Sequence, residues 1–283
     1  MDTLRIVTLN VWNKSGPWHE RSSLIRAELA RLDADVIGLQ EVLRLSDPGV
    51  ETSPSPQTCQ ATQIAEGYGY GVAYAAACDY GNGLKFGNAL LSRHPIAKAA
   101  GFALPAGDSS ESRSLLYAEL DTPHGPLPVF VTHLNWKLHH GYVRLLQVQA
   151  IVERIFELAP VGGGSLPPVL MGDFNADPES DEIRYLRGLK VDAGRSVYFA
   201  DAWHYAGDGS LGATFDRRNH HARLSHEPPR RIDYVFVRGP DKLLRGEPIR
   251  AELAFATAGP SGDVWPSDHF GLVTDIVFSP RSP

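Results

Sequence analysis

Apolar runs in this chain end abruptly at polar residues. Leu4 to Asn10 is rich in Val, Ile and Leu, which suits a strand covered on both faces, and it stops at an amide. After the Gly16-Pro17 break, Leu24, Ile25, Leu29 and Leu32 recur at helical spacing and predict an amphipathic helix over residues 22–32. Asp33-Ala34-Asp35 closes it, and Val36 to Glu41 is a second strand that again ends in a polar group. If the two strands are parallel neighbours, this unit sets Asn10 and Glu41 side by side.

The Pro-, Ser- and Thr-rich stretch 46–56 reads as an exposed loop, followed by a short helix over 58–66. Strands are predicted over 68–77 and 86–92, with Gly81-Asn82-Gly83 as the turn between them. Residues 114–120 and 127–132 form a hairpin, and its second arm runs into His133-Leu134-Asn135-Trp136. The longest helical pattern is 142–158, where Val143, Leu146, Ile151 and Ile155 share an apolar face. Gly162-Gly163-Gly164 connects it to the strand Val169-Leu170-Met171, which breaks at Gly172 and delivers Asp173 and Asn175. A short helix over 182–189, a loop over 207–229 and strands over 232–237 and 270–278 complete the chain. There is no domain linker, low-complexity tract or short-period repeat, so residues 1–283 are expected to be one domain. Many strands and few long helices, without strict alternation, predict sheets packed on each other with helices outside.

Charge narrows the function. With a net charge of -6 and a pI near 6.0, the chain lacks the basic excess that gripping duplex nucleic acid requires. One local exception holds Arg217, Arg218, His220, His221, Arg223, His226, Arg230 and Arg231 against a single Glu227, a rim suited to an anionic substrate. No apolar stretch is long enough to span a bilayer, and the N-terminus has no basic region followed by an apolar core. The two cysteines, Cys59 and Cys78, are too few for a disulfide framework and lack metal-site spacing. A cytoplasmic location is expected, with no obligate protein partner evident.

The chemistry is carried by strand ends. Asn10, Glu41, His133 and Asp173 close apolar runs, while Asp233 and the pair Asp268-His269 flank strands near the C-terminus. Any one of these reads as a turn former or cap, but six together point to a site. Oxygen donors such as these suit Mg²⁺, with Mn²⁺ as a substitute, and histidines without nearby cysteines suit phosphate contact or proton transfer better than structural zinc. The combination predicts metal-assisted hydrolysis of a phosphoester.

The ordered set Leu9-Asn10, Leu39-Gln40-Glu41, Thr132-His133-Leu134, Gly172-Asp173-Phe174-Asn175, Arg231-Ile232-Asp233-Tyr234 and Ser267-Asp268-His269 resembles the endonuclease/exonuclease/phosphatase superfamily, in its bacterial-type members. The resemblance implies the deoxyribonuclease I-like fold: an α/β four-layered sandwich of two mixed, mostly antiparallel sheets packed face to face, with helices outside. It further implies that Glu41 is the principal metal ligand, assisted by Asn10, with Asp268 close by. Asp173 would activate the attacking water and Asn175 would hold the phosphate. His269, oriented by Asp233, and His133 would contact the phosphate or move a proton. Arg113, Asn135 and Arg231 are expected at the substrate.

Inositol polyphosphate 5-phosphatases carry a Trp-Cys-Asp-Arg-type motif where this chain has Arg230-Arg231-Ile232-Asp233-Tyr234, and abasic-site endonucleases carry a Trp where Arg230 stands. The wording here is similar to sphingomyelinase-like and deadenylase-like members. The first expectation is a metal-dependent phosphodiesterase or phosphatase acting on a small or lipid-linked phosphoester. The alternatives are a nuclease acting on single-stranded or short DNA or RNA, with Trp136, Trp203 and Tyr205 as stacking platforms, and a catalytically silent interaction module.

Overall fold

Two six-stranded sheets face each other, in the orders β11-β12-β1-β2-β4-β3 and β5-β6-β7-β8-β10-β9. The first comprises β1 (Thr3–Asn10), β2 (Val36–Leu45), β3 (Gly71–Asp79), β4 (Leu84–Ser92), β11 (Glu247–Ala254) and β12 (Gly271–Val277). The second comprises β5 (Ile96–Ala103), β6 (Ser114–Thr122), β7 (Gly125–His133), β8 (Val169–Asp173), β9 (Ala200–Asp201) and β10 (Asp233–Val237). The helices are α1 (Trp18–Leu32), α2 (Gln60–Ala65), α3 (Gly141–Leu158), α4 (Asp181–Leu186), α5 (Ala202–Ala206) and α6 (His220–Arg223). This computed structural model describes residues 2–45, 58–162 and 164–280, so the loop expected over 46–56 lies outside the described residues.

Apolar residues of both periodicities build the layers. Ile6, Val36, Val129, Met171, Val235 and Ile276 fill the space between the sheets. Val7, Leu9, Ile37 and Leu39 turn the other way, against Ile25 and Leu29 of α1 and Ile64 of α2. Phe130, Leu170, Tyr234 and Phe236 do the same against Val148, Ile151 and Ile155 of α3. Covering both faces explains why β1, β2 and β8 read as continuous apolar runs. Each such aliphatic side chain contributes about 1.5–3 kcal/mol when fully buried. The result is the four-layered α/β sandwich expected, with helices on the outer faces.

Both sheets repeat one pattern of directions. β1 and β2 are parallel and every other pairing in the first sheet is antiparallel; β7 and β8 are parallel and every other pairing in the second is antiparallel. The parallel pairs sit at the middle of their sheets, so their C-terminal ends emerge together at one rim. In register, Asn10 lies beside Gln40, His133 beside Asp173, and Asp233 opposite Asp173.

Some elements depart from the sequence reading. α1 begins at Trp18, one residue after Pro17, so its first turn lies ahead of the apolar periodicity. β5 and β11 form where no strand was expected. β5 is Ala- and Gly-rich and exposed along most of its length, and β11 carries Pro248, Arg250 and Glu252 on a sheet edge. Neither has the buried apolar alternation that marks a strand. α6 lies inside the predicted loop over 207–229.

Gly172 fixes how β8 ends. Its φ is 143°, and a Cβ there would lie 1.9 Å from the Thr132 carbonyl oxygen of β7. Gly172→Ala is therefore expected to destabilise the protein by about 3 kcal/mol through backbone overpacking, measured by urea unfolding. A wild-type midpoint would show that the β7–β8 contact is looser than described.

Candidate active site

Glu41 reaches the rim through a break in β2. Leu39 pairs with Ala89 and Val42 with Gly87, so Gln40 and Glu41 together oppose Asn88. Such a bulge re-aims a side chain, and Glu41 sits at φ 60° within it. Trp12, Asn13 and Asn175 also have positive φ, so four of the ten non-glycine residues in this conformation among the described residues surround the site. Each costs about 1–3 kcal/mol and persists only where its surroundings hold it.

Two amides hold the Glu41 carboxylate. Asn10 Nδ2 donates to Glu41 Oε1 at 3.2 Å and to Asp173 Oδ2 at 3.0 Å, and Asn13 Nδ2 donates to Glu41 Oε2 at 2.9 Å. Asn10 Oδ1 accepts from Trp12 N at 2.9 Å. Asn10 therefore turns its nitrogen to the two carboxylates, and a direct bond from its oxygen to a cation would require the amide to turn over. Asp173 is fully buried and its Oδ1 accepts from Asn175 N at 2.8 Å. Asn175 Nδ2 donates to Leu134 O at 3.1 Å.

Two histidines flank Asp173 with opposite electrostatics. His269 Nδ1 lies 2.9 Å from Asp233 Oδ2, and its Nε2 lies 3.8 Å from Asp173 Oδ2. Burial opposes a charge on His269, yet Asp233, Asp173 and Asp268 outweigh it and hold its pKa well above the usual range. His133 is held well below that range by burial and by the charges of Arg113 and His269. Arg113 Nη1 lies 3.1 Å from His133 Nδ1, and a guanidinium can only donate. The proton of neutral His133 thus sits on Nε2, 3.4 Å from Asp173 Oδ2.

The carboxylates are crowded. Burial and Asp233 push Asp173 up to about 7, while His269 pulls the other way. Burial pushes Asp268 up to about 6, with Glu41 adding to it and His269 opposing. Ligand atoms of Asp173, Asp233 and His269 lie within 4.8 Å of one another, so this buried group could hold a metal ion. His269 Nδ1 is already engaged by Asp233, however, whereas Glu41 and Asp268 offer oxygens to the pocket. An excess of buried carboxylate is relieved by a hard cation, and oxygen donors are what such a cation takes.

These groups line a pocket of about 190 Å³ that includes Asn10, Glu41, Arg113, His133, Asp173, Asn175, Asp268 and His269. Ser267 joins its two sides, since its Oγ donates to Asn10 O at 2.6 Å. Asp233 stands behind His269. A groove of about 460 Å³ adjoins the pocket across Glu41, Arg113 and Trp136 and is walled by Tyr80 and Phe86.

Two residues expected at the substrate are elsewhere. Asn135 is fully buried; its Nδ2 donates to Ser109 Oγ at 2.8 Å and its Oδ1 accepts from Lys137 N at 3.0 Å, so it shapes the loop after β7. Arg231 pairs with both oxygens of Asp201, at 3.0 and 2.9 Å, and lies over Tyr234. Of the basic cluster, Arg230 reaches the pocket, held by Asp177 at 2.9 Å, Glu227 at 2.6 Å and Asn175 O at 3.2 Å. Trp203 is buried, with Nε1 on Ser210 O, while Trp136 is 58% exposed beside the pocket. Asn13, Phe215 and Arg230 are site residues that no strand-end pattern marks. Arg230 carries a signal through the basic cluster, and Asn13 carries one as an amide three residues after Asn10, whereas Phe215 carries none.

The segment bearing α6 leans on the site's outer wall. The His221 ring lies 4.6 Å from the Trp12 ring, and its Nε2 is buried without a partner among the described residues. Burial, with His220 and Arg21, lowers His221 from the usual imidazole value of 6.5 to about 4. The folded state thus favours neutral His221, and its contribution is lost as pH falls from about 6.5 toward about 4. His221→Phe is expected to flatten the acid side of the stability–pH curve in that window, followed by tryptophan fluorescence. Identical curves would exclude His221 as the source.

A sequence model described as the Endonuclease/Exonuclease/phosphatase family matches residues 7–269. No curated protein matches the chain significantly. Among solved structures, D. rerio TDP2 complexed with single strand DNA product is similar at TM-score 0.73 and 19% identity, covering 98% of this chain and 99% of that one. The endonuclease/exonuclease/phosphatase from Bacteroides vulgatus gives 0.71 and 17%, covering 98% and 99%. The human Nocturnin catalytic domain with bound sulfate anion gives 0.66 and 18%, covering 98% and 95%. At these identities the likeness speaks to the fold.

Proposed function

We propose, from the premise that the chain belongs to the endonuclease/exonuclease/phosphatase family, that it is a divalent-metal-dependent phosphodiesterase in which water attacks in line at phosphorus. The observation that carries this reading is the convergence of Glu41, Asp173, Asp268, His133 and His269 on one small pocket. A silent interaction module has no use for such a cluster of buried, mutually repelling carboxylates.

Glu41 and Asp268 would hold Mg²⁺, or Mn²⁺ in its place, with Asn10 and Asn13 orienting Glu41. When bound, the cation offsets charge on the phosphate and the leaving oxygen. Asp173, fixed by Asn10 and Asn175 N, accepts the proton of the attacking water. His269, charged through Asp233, donates to a non-bridging oxygen, and neutral His133 donates from Nε2. Asn175 and Arg113 complete the phosphate contacts. Arg230 supports Asn175 from behind.

The substrate is a small or chain-terminal phosphoester, whether lipid-linked or nucleotide-linked. One observation favours the nucleotide side, a nuclease acting on single-stranded or short DNA or RNA. The adjoining groove exposes Tyr80 and Trp136 beside Ser110, Glu111 and Ser112, which suits a base with a flat face and a polar edge better than an acyl chain. The TDP2 structure with a single-strand DNA product points the same way. Among the described residues no helix is long and apolar enough to cross a membrane. We place the protein in the cytoplasm, in keeping with the free thiols of Cys59 and Cys78.

The test is a substrate panel of lipid head-group diesters, monoesters and short single strands at defined metal. Turnover is expected to vanish on chelation and return with Mg²⁺ or Mn²⁺. A protein inert on every substrate would overturn the reading.

A further inference from the structure

Arg21, in the first turns of α1, is fully buried beneath the site. Its five N–H groups meet five backbone carbonyls. Nε donates to Ser15 O at 3.0 Å, Nη1 to Val11 O at 2.9 Å and to Pro266 O at 2.8 Å, and Nη2 to Trp12 O at 3.1 Å and to Asn13 O at 2.9 Å. The rings of Trp12 and Trp18 lie 5.0 and 5.2 Å from the guanidinium carbon. Four of the carbonyls belong to the turn after Asn10; the fifth immediately precedes Ser267-Asp268-His269.

We propose that Arg21 is a positioning residue: its planar fork locks the turn that holds Asn13 against Glu41, and the segment that carries Asp268 and His269, in one frame. The inference rests on the reading that Glu41 and Asp268 hold a divalent cation. Three observations converge on it. The guanidinium is the only side chain with five donors in a fixed plane, and here every donor is used. The turn it holds contains the positive-φ residues Trp12 and Asn13, a conformation that needs outside support. Its charge is answered at longer range by Asp268 and Glu41, against the burial that pulls its pKa down to about 10. The two sides of the site come from opposite ends of the sequence, and Arg21 bonds both.

The test is Arg21→Lys. It keeps the charge and much of the stem but has three donors, so at least two carbonyls lose their partner. Gln60 Nε2 still holds Asn13 O at 2.9 Å, so that carbonyl keeps a partner. Mn²⁺ titrated calorimetrically into wild type and variant is expected to show about 10-fold or greater loss of affinity, the range for groups that orient metal ligands. The metal needed for half-maximal turnover should rise in step. A variant that melts earlier yet binds Mn²⁺ as tightly as wild type would overturn the proposal, because a merely structural arginine behaves that way. If Arg21→Lys fails to fold, Asn13→Gly keeps the positive-φ backbone and removes the amide on Glu41; unchanged Mn²⁺ affinity there overturns the proposal equally. If wild type takes up no Mn²⁺, the metal reading fails. The crystal structure of Arg21→Lys then decides: a displaced 11–15 turn supports positioning, and an unmoved one sinks it.

Discussion

Asp173→Asn is expected to lower kcat by roughly 10³–10⁴-fold, near the upper end of what a positioned proton acceptor contributes, while the fold survives. Asparagine keeps one oxygen for Asn175 N, and its size suits a fully buried site. It cannot accept a proton from water, and its own amide hydrogens oppose those of Asn10 Nδ2. Stability should hold or rise. Burial and Asp233 push the Asp173 carboxyl up to about 7, above the usual carboxylate range, so its ionised form is disfavoured on folding. Its contribution to stability is therefore present at low pH and lost as pH rises through about 7 in the metal-free protein. A neutral amide escapes that loss. Steady-state rates on a phosphodiester, together with thermal unfolding of the apoprotein, check both halves. Near-full activity would remove Asp173 from the proton-accepting role.

The second large effect is Glu41→Gln, with turnover expected to fall about 10³-fold, roughly 4 kcal/mol of transition-state stabilisation. The change is nearly isosteric and Asn10 can still donate to the retained oxygen. The other oxygen becomes an amide facing Asn13 Nδ2, which leaves two donors opposed. More important is the lost charge, since a hard cation draws its affinity from carboxylates. The signature separating this from misfolding is partial recovery as Mn²⁺ is raised, measured as kcat against metal concentration. An unchanged half-saturating concentration would place the cation elsewhere, for example at Asp173, Asp233 and His269.

How far these residues were legible follows from what sequence records. Asn10, Glu41, His133 and Asp173 were visible because strands buried on both faces read as apolar runs, and a polar residue at the end of one is conspicuous. Asp233 and Asp268-His269 needed the ordered set as a whole. β5 and β11 escaped because edge strands with exposed alanines, or with Pro248 and paired charges, bury too little to leave a period-two trace. Asn135 and Arg231 were sent to the substrate by their places in the motifs, but a buried polar side chain belongs to whichever partner satisfies it. For Arg231 that partner is Asp201, thirty positions away in sequence. Arg21 was unreadable for a related reason: it bonds only main-chain oxygens, which every residue has.

The position of β12 has a consequence for when activity begins. This strand lies between β11 and β1, pairing Thr3 with Val277, and the segment just before it supplies Asp268 and His269. A chain still emerging from the ribosome can hold Asn10, Glu41 and Asp173 long before residues 268–277 appear. Until then β1 is paired only with β2, Asp233 has no imidazole to orient, and Arg21 lacks its fifth carbonyl. Closing so distant a pairing is slow relative to local hairpins. The candidate site is thus complete only once residues 266–277 have joined the sheet beside β1.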